Sequence, residues 1–201
     1  MKRHAKAKNY VVRKKPSLET RTTILIVCEG TKTEPGYFDG FRVAQICEID
    51  AQGTGYNTLS LVNEAIRLSK LHNYNQVWCV FDKDDFPNSD FDNAIQKARQ
   101  NKFEIAYSNQ SFELWYVLHY QYLTSSLHRR DYCRLLDTCL GNKYEKNSKN
   151  MYEVLLPRQK IAIENSERLL TIHSTTPANS SPSTTVHLLV KELNRLASQR
   201  R

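Results

Sequence analysis

The chain alternates short runs of branched apolar residues with segments whose apolar residues recur at helical spacing, and this alternation restricts the possible folds most strongly. Strands joined through helices form parallel pairs with right-handed crossovers, in a sheet that helices cover on both faces. The sequence therefore predicts an α/β fold with a four-stranded, mainly parallel sheet. The predicted strands are 24–28, 46–50, 77–81 and 103–107, and the intervening helices are predicted to begin near Pro35, Thr58 and Phe91.

The chain after Ser111 is predicted to be mainly helical. Phe112, Trp115, Tyr116 and Tyr120 recur at helical spacing and are predicted to be core residues rather than a base-stacking surface. Segment 174–185 is rich in Ser, Thr and Pro, which predicts a loop or a mobile linker before a final amphipathic helix. The predicted organisation is a flexible basic arm at 1–20, an α/β core at 21–122 and a helical elaboration packed on the core at 123–201.

The positive charge of the chain is concentrated at its start. Residues 1–15 contain seven of the 29 Lys and Arg residues and no acidic residue, which leaves 22 basic against 21 acidic side chains elsewhere. Such an arm binds a phosphate backbone through counterion release, and it is equally well explained as a solvated terminus.

The cellular compartment is predicted from three negative observations. No apolar run approaches the roughly 18 residues that a membrane span needs, and the first 15 residues lack the apolar region of a signal peptide. The five cysteines form no C-x-x-C pair, and their odd number is typical of a reducing compartment. The expectation is a cytoplasmic protein without membrane association.

Carboxylates follow three of the four predicted strands. Glu29 directly follows the first strand, Asp82 and Asp84 follow the third, and Glu113 lies six residues beyond the fourth. Ligands of open parallel sheets bind at the carboxyl ends of the strands, so these acids are expected to converge. Clustered carboxylates repel one another unless a proton or a cation lies between them, and an all-oxygen donor set favours Mg²⁺ or Mn²⁺ over zinc.

A plainer interpretation treats the aspartates as turn and helix-cap residues, and for Asp82 and Asp84 alone it would be preferred. Glu29 favours a site, because Glu between a buried strand and a glycine is a poor cap. Two lysines adjoin the acids and are candidate phosphate ligands. Lys32 lies where a helix is predicted to begin, whereas Lys83 is expected on the opposite face of its strand and is better explained as neutralising its acidic neighbours.

Four ordered blocks of the sequence resemble the RloB-like family, which is related to the AbiLii abortive-infection protein and has a core similar to the Toprim fold. The blocks read ILIVCEGTKTEPGYF, VWCVFDKDDF, YSNQSFELWYVLHY and PSTTVHLLVKEL, and together they span most of the chain. The resemblance implies that Glu29, with Asp82 and Asp84, binds Mg²⁺ and supports phosphoryl transfer. Family members more often have Pro where this chain has Gln110, which leaves the placement of Glu113 less well defined than that of the other acids.

The resemblance further implies a bacterial defence component that acts beside an ABC or OLD-like ATPase of the RloA type. The leading hypothesis is a metal-dependent endonuclease acting on RNA or DNA, with Glu29 as either metal ligand or general acid–base. The alternative is a non-catalytic nucleic-acid-binding or regulatory subunit of the ATPase. A phosphotransferase or phosphatase is disfavoured, because such enzymes need an aspartate nucleophile at the position of Glu29. The final helix is a candidate surface for forming a homo-oligomer.

Overall fold

The structure is a computed structural model, and it describes residues 22–41, 47–55, 57–148, 150–173 and 176–198. The predicted basic arm at 1–20 lies outside the described residues. Within them, no helix is long and apolar enough to cross a membrane.

Four strands form one parallel sheet, in the order β2-β1-β3-β4. The first strand is central and apolar, and it pairs along its length with β2 on one side and with β3 on the other. The prediction of a four-stranded parallel sheet within an α/β fold is confirmed, and the architecture is consistent with a Toprim-like fold. The strands are β1 (Thr22–Cys28), β2 (Cys47–Gly53), β3 (Gln76–Lys83) and β4 (Glu104–Asn109).

Eight α-helices surround the sheet in the described part of the chain. Gly141 ends the fifth helix in a left-handed conformation with φ of 69°, which glycine adopts without steric cost. The helices are α1 (Thr33–Asp39), α2 (Thr58–Leu68), α3 (Asn88–Gln100), α4 (Glu113–Val117), α5 (Arg129–Leu140), α6 (Met151–Leu155), α7 (Gln159–Ile172) and α8 (Val186–Ser198).

The sheet separates two apolar cores, because successive side chains of a strand point to opposite faces. Leu25 and Val27 of β1 pack with α2 and α3. Ile24, Ile26 and Cys28 pack instead with α1 and with the helices that follow β4. Helices therefore cover both faces, as predicted, and the carboxyl edge of the sheet opens between the two layers.

The described part of the Ser/Thr/Pro-rich segment, 176–185, is a loop with one turn of 3-10 helix, and it packs against the fold instead of forming a mobile linker. Ser183 and Thr184 are fully buried, and Thr184 forms an isolated antiparallel bridge with Ser108 of β4. The Tyr107 carbonyl oxygen accepts hydrogen bonds from the Thr184 hydroxyl (3.0 Å) and from the Thr185 backbone N–H (2.8 Å). Because β4 is an edge strand, its outer backbone groups need partners, and this polar segment supplies them.

Thr184→Val is expected to reduce the free energy of unfolding by about 1–3 kcal/mol. Valine keeps the shape of the side chain but removes the oxygen that lies 2.9 Å from the Ser108 hydroxyl and 3.2 Å from the Val186 amide nitrogen, so buried polar groups lose their partners. Urea denaturation would measure the change. Thr171→Val, at an exposed position of α7, is the matched control, and equal losses in the two variants would contradict this account.

Candidate functional site

Glu29 and Asp82 meet at the carboxyl edge of the sheet. The Glu29 backbone N–H donates to the Val80 carbonyl oxygen at 2.9 Å, which extends the pairing of β1 with β3 by one residue. The Glu29 side chain then accepts a hydrogen bond from the Asp82 backbone N–H, with a distance of 3.2 Å from Oε2 to the nitrogen. The sheet register that was expected to bring these acids together therefore does so.

Glu34, which the sequence analysis did not identify as a candidate site residue, is a third carboxylate of this site. It lies in the first turn of α1, and its side chain is buried, with 6% of the residue exposed. A Cβ atom at Gly30 would overlap the Glu34 carboxylate, so the glycine provides the space that the carboxylate occupies. Among the described residues, Glu34 Oε2 has no hydrogen-bond partner although it is buried.

Glu113, the first residue of α4, is the fourth carboxylate, and it is 3% exposed. The Tyr144 hydroxyl donates to Glu113 Oε1 at 3.4 Å, and Lys146 Nζ lies 3.3 Å from the same oxygen. The Thr33 hydroxyl donates to the Lys146 carbonyl oxygen at 2.6 Å, which ties this loop to the start of α1. The loop after α5 therefore brings a cation to the acids, and the sequence analysis did not identify it.

The carboxylates raise one another's pKa values. Burial is the largest cause of the raised pKa of Glu29, which lies at about 7, and the charges of Asp84 and Glu34 raise it further. Burial also raises the pKa of Asp82 well above its ordinary value, followed by the charges of Glu34, Glu29 and Glu113. The pKa of Glu34 is raised by burial and then by the charge of Glu113. Burial and neighbouring negative charge thus make Glu29, Glu34 and Asp82 favour a bound proton or cation.

These acids line an open cleft of about 620 Å³. Two lysines stand on its wall. Lys32 is exposed immediately before α1, and Lys146 reaches in from the loop after α5. Phe86 lies on another part of the wall. The cleft therefore combines an acidic floor with cationic and aromatic walls.

Asp84 occupies the rim of the site rather than its floor. Its Oδ1 accepts a hydrogen bond from the Phe86 backbone N–H at 3.1 Å, and its Oδ2 lies 3.7 Å from the Arg129 guanidinium. Asp82 remains in the strand, whereas Asp84 lies in the turn that follows, so the two aspartates have different surroundings. Metal ligation by Asp84, which the resemblance implies, stays a prediction.

The Lys83 side chain forms hydrogen bonds with the backbone of the same turn. It is 9% exposed, and its ammonium group donates to the carbonyl oxygens of Asp84 at 2.8 Å and Phe86 at 2.9 Å. These contacts give Lys83 a structural role. Of the two lysines proposed as phosphate ligands, Lys32 is the one whose side chain is exposed at the cleft.

The donor set fits a hard divalent cation. In the part of the chain that the structure describes, no group of three His, Cys, Asp or Glu side chains is closed around a common point at metal-ligand distances. The acids nevertheless offer only carboxylate oxygens, as Mg²⁺ and Mn²⁺ prefer. A cation between Glu29, Glu34, Asp82 and Glu113 would give the buried Glu34 Oε2 a partner. It would also stabilise the ionised forms of Glu34 and Asp82, whose pKa values are raised.

The aromatic set after β4 belongs to the core. Phe112, Trp115 and Tyr116 are buried and pack edge-to-face against Tyr37 or one another, so the prediction of a core role is confirmed for these three. They fix the start of α4 and with it the position of Glu113.

Comparisons with known proteins identify a family for this chain. A family model described as RloB-like protein matches residues 24–193, a range that contains every residue of the cleft named above. No curated protein matches the chain. No solved structure matches it either.

Proposed function

The chain belongs to the RloB-like family, and we propose that it is a Mg²⁺- or Mn²⁺-dependent endonuclease that cleaves RNA or DNA. The family fits a protein associated with abortive infection and is generally associated with RloA-type partners. Within that setting, we propose that this chain is the effector and that an ABC or OLD-like ATPase of the RloA type controls or presents it.

The convergence of Glu29, Glu34, Asp82 and Glu113 in one cleft is the observation that supports this proposal. Four carboxylates placed together oppose folding unless protons or a cation neutralise them. The raised pKa values of Glu29, Glu34 and Asp82 indicate that ionising these three groups opposes folding. Charged groups that are held together although they destabilise the fold are typical of functional sites.

A divalent ion held by these acids would polarise a phosphodiester oxygen and promote the ionisation of water. The chain's own residues provide the remaining chemistry. Because the pKa of Glu29 lies at about 7, its carboxyl group can hold or release a proton near neutral pH, as a general acid or base requires. Lys32 and Lys146 lie on the wall of the cleft, where each can neutralise a substrate phosphate.

The proposal is tested by incubating the purified full-length protein with plasmid DNA, total RNA and tRNA, each with Mg²⁺, Mn²⁺, Ca²⁺ or EDTA. We expect cleavage of at least one substrate with Mg²⁺ or Mn²⁺ and none with EDTA. The same reactions with the RloA-type ATPase and ATP test control by the partner. Cleavage that persists in EDTA would contradict the metal-dependent mechanism, and absence of cleavage under all conditions would favour the non-catalytic subunit.

A further inference from the structure

Phe86 is an exposed aromatic ring at the acidic cleft. It lies in the turn between β3 and α3, and 47% of the residue is exposed. Among the exposed large apolar side chains of the described residues it is the one aromatic, and the others are aliphatic residues on or beside helices. Single exposed aliphatic residues are ordinary in soluble proteins. An exposed ring on the wall of a polar cleft calls for a specific explanation.

The backbone around Phe86 is fixed on both sides of the ring. The Phe86 N–H donates to Asp84 Oδ1 at 3.1 Å, and its carbonyl oxygen accepts from Lys83 Nζ at 2.9 Å. Pro87 follows, and a residue before proline is confined to extended conformations. The backbone that carries the ring is therefore held in place, while about half of the residue is exposed.

The same turn is anchored to the rest of the protein through Arg129 of α5. The Arg129 guanidinium lies 3.0 Å from Asp85 Oδ2 and 3.7 Å from Asp84 Oδ2. Lys83, Asp84 and Asp85 thus hold a turn whose outermost apolar group is Phe86. Such an arrangement holds the backbone of an exposed aromatic residue in one position before a ligand binds. Binding is then favoured, because little backbone conformational entropy is lost.

We propose that Phe86 is a stacking platform for an unpaired base of the nucleic-acid substrate, and that Asp84 and Lys83 are positioning residues that hold its backbone. This inference rests on the proposed function. Bases stack on aromatic rings whatever their sequence, and a base must leave its duplex partner and neighbours to do so. The substrate is therefore single-stranded at the cleft, with a phosphate near the acids and the adjacent base on Phe86.

The test measures binding without catalysis, using the full chain in EDTA or Ca²⁺. The probes are short RNA and DNA strands containing 2-aminopurine, whose fluorescence is quenched on stacking, and the corresponding duplexes. Phe86→Ala is expected to weaken single-strand binding by about 5- to 30-fold and to abolish the quenching, whereas Phe86→Trp retains both. Leu71→Ala is the matched control, because Leu71 is 57% exposed beyond the end of α2.

The positioning role of Asp84 has a separate signature. Asp84→Asn keeps an oxygen that can accept from the Phe86 N–H, so we expect it to preserve the quenching. Asp84→Ala removes the acceptor and is expected to reduce quenching and affinity in the direction of Phe86→Ala. Equal effects of the Asn and Ala variants would overturn the positioning role.

The outcomes separate this inference from the proposed function. If the original protein binds the strands and Phe86→Ala binds them equally well with unchanged quenching, stacking by Phe86 is wrong and the endonuclease proposal stands. Preference for the duplex probe over the single strand also overturns the inference. Absence of binding to every probe contradicts both. Because about half of Phe86 is exposed, its variants are expected to melt within a few degrees of the original protein.

Discussion

Asp82→Asn is expected to reduce divalent-dependent cleavage by about 10²- to 10⁴-fold while leaving the fold intact. Loss of one carboxylate from a cation site removes several kcal/mol of transition-state stabilisation, which corresponds to a rate loss of that size. The fold is expected to survive, because Asn has nearly the same shape as Asp and removes the charge repulsion from Glu34. Initial rates of substrate cleavage at saturating Mg²⁺ would measure the effect.

Mg²⁺ binding provides a second readout of the same variant. An ion that binds only the folded protein stabilises it by about 2.7 kcal/mol at a hundred times its dissociation constant. We expect this stabilisation in the original protein and in Asp90→Asn, an exposed aspartate in the first turn of α3 that undergoes the same chemical change. Asp82→Asn and Glu34→Gln are expected to lose most of it. Equal stabilisation of all four proteins by Mg²⁺ would place the ion elsewhere.

The position of Glu29 and Asp82 was predictable because it depends on two local properties. Apolar branched runs identify the buried strands, and parallel strands place their carboxyl ends at one edge. The difference in surroundings between Asp82 and Asp84 was harder to predict from the sequence. It follows from β3 continuing to Lys83 before the chain turns, so that one aspartate stays in the strand and the other enters the turn.

The burial of Glu34 and the position of Lys146 depend on tertiary packing, which local sequence patterns do not indicate. A glutamate in a first helical turn is ordinarily a solvated residue that complements the helix dipole, and nothing in its spacing indicates burial. Its burial depends on the space that Gly30 leaves. Lys146 reaches Glu113 through packing of the loop after α5, across 33 residues of sequence. The buried stretch 182–185 is a similar case, since the hydroxyl groups of Thr184 and Thr185 bond to the edge of β4 rather than to water.

Glu29→Gln is expected to become more stable than the original protein as pH rises, when both are measured without divalent ions. Folding raises the pKa of Glu29 from about 4.5 to about 7. The original protein therefore has its full stability from this group below pH 4.5 and loses it as pH rises through 7. Gln resembles the protonated carboxyl group and does not ionise. The difference in free energy of unfolding is expected to grow from near zero at about pH 4.5 to roughly 2–3 kcal/mol at about pH 8.

The free energy of unfolding must be compared between the original protein and Glu29→Gln, because other groups in both proteins titrate in the opposite sense. Burial lowers the pKa values of His119 and His187 to about 4, so both histidines reduce stability as pH falls below about 6.5. They contribute equally to the two proteins and cancel in the difference. Glu64→Gln is the matched control, because Glu64 is paired with Arg67 on α2, and its lowered pKa gives a small effect of opposite sign.

Added Mg²⁺ connects this pH dependence to the proposed site. At about pH 8 the ion is expected to stabilise the original protein more than Glu29→Gln, because the variant has lost a negative charge that would hold it. The difference in free energy of unfolding between the two proteins should therefore narrow or reverse as Mg²⁺ is added. Glu29 would be an ordinary surface acid if the difference in free energy of unfolding stayed constant from pH 5 to 8, since ionisation opposes folding only for a carboxyl group that is buried or lies beside other negative charges.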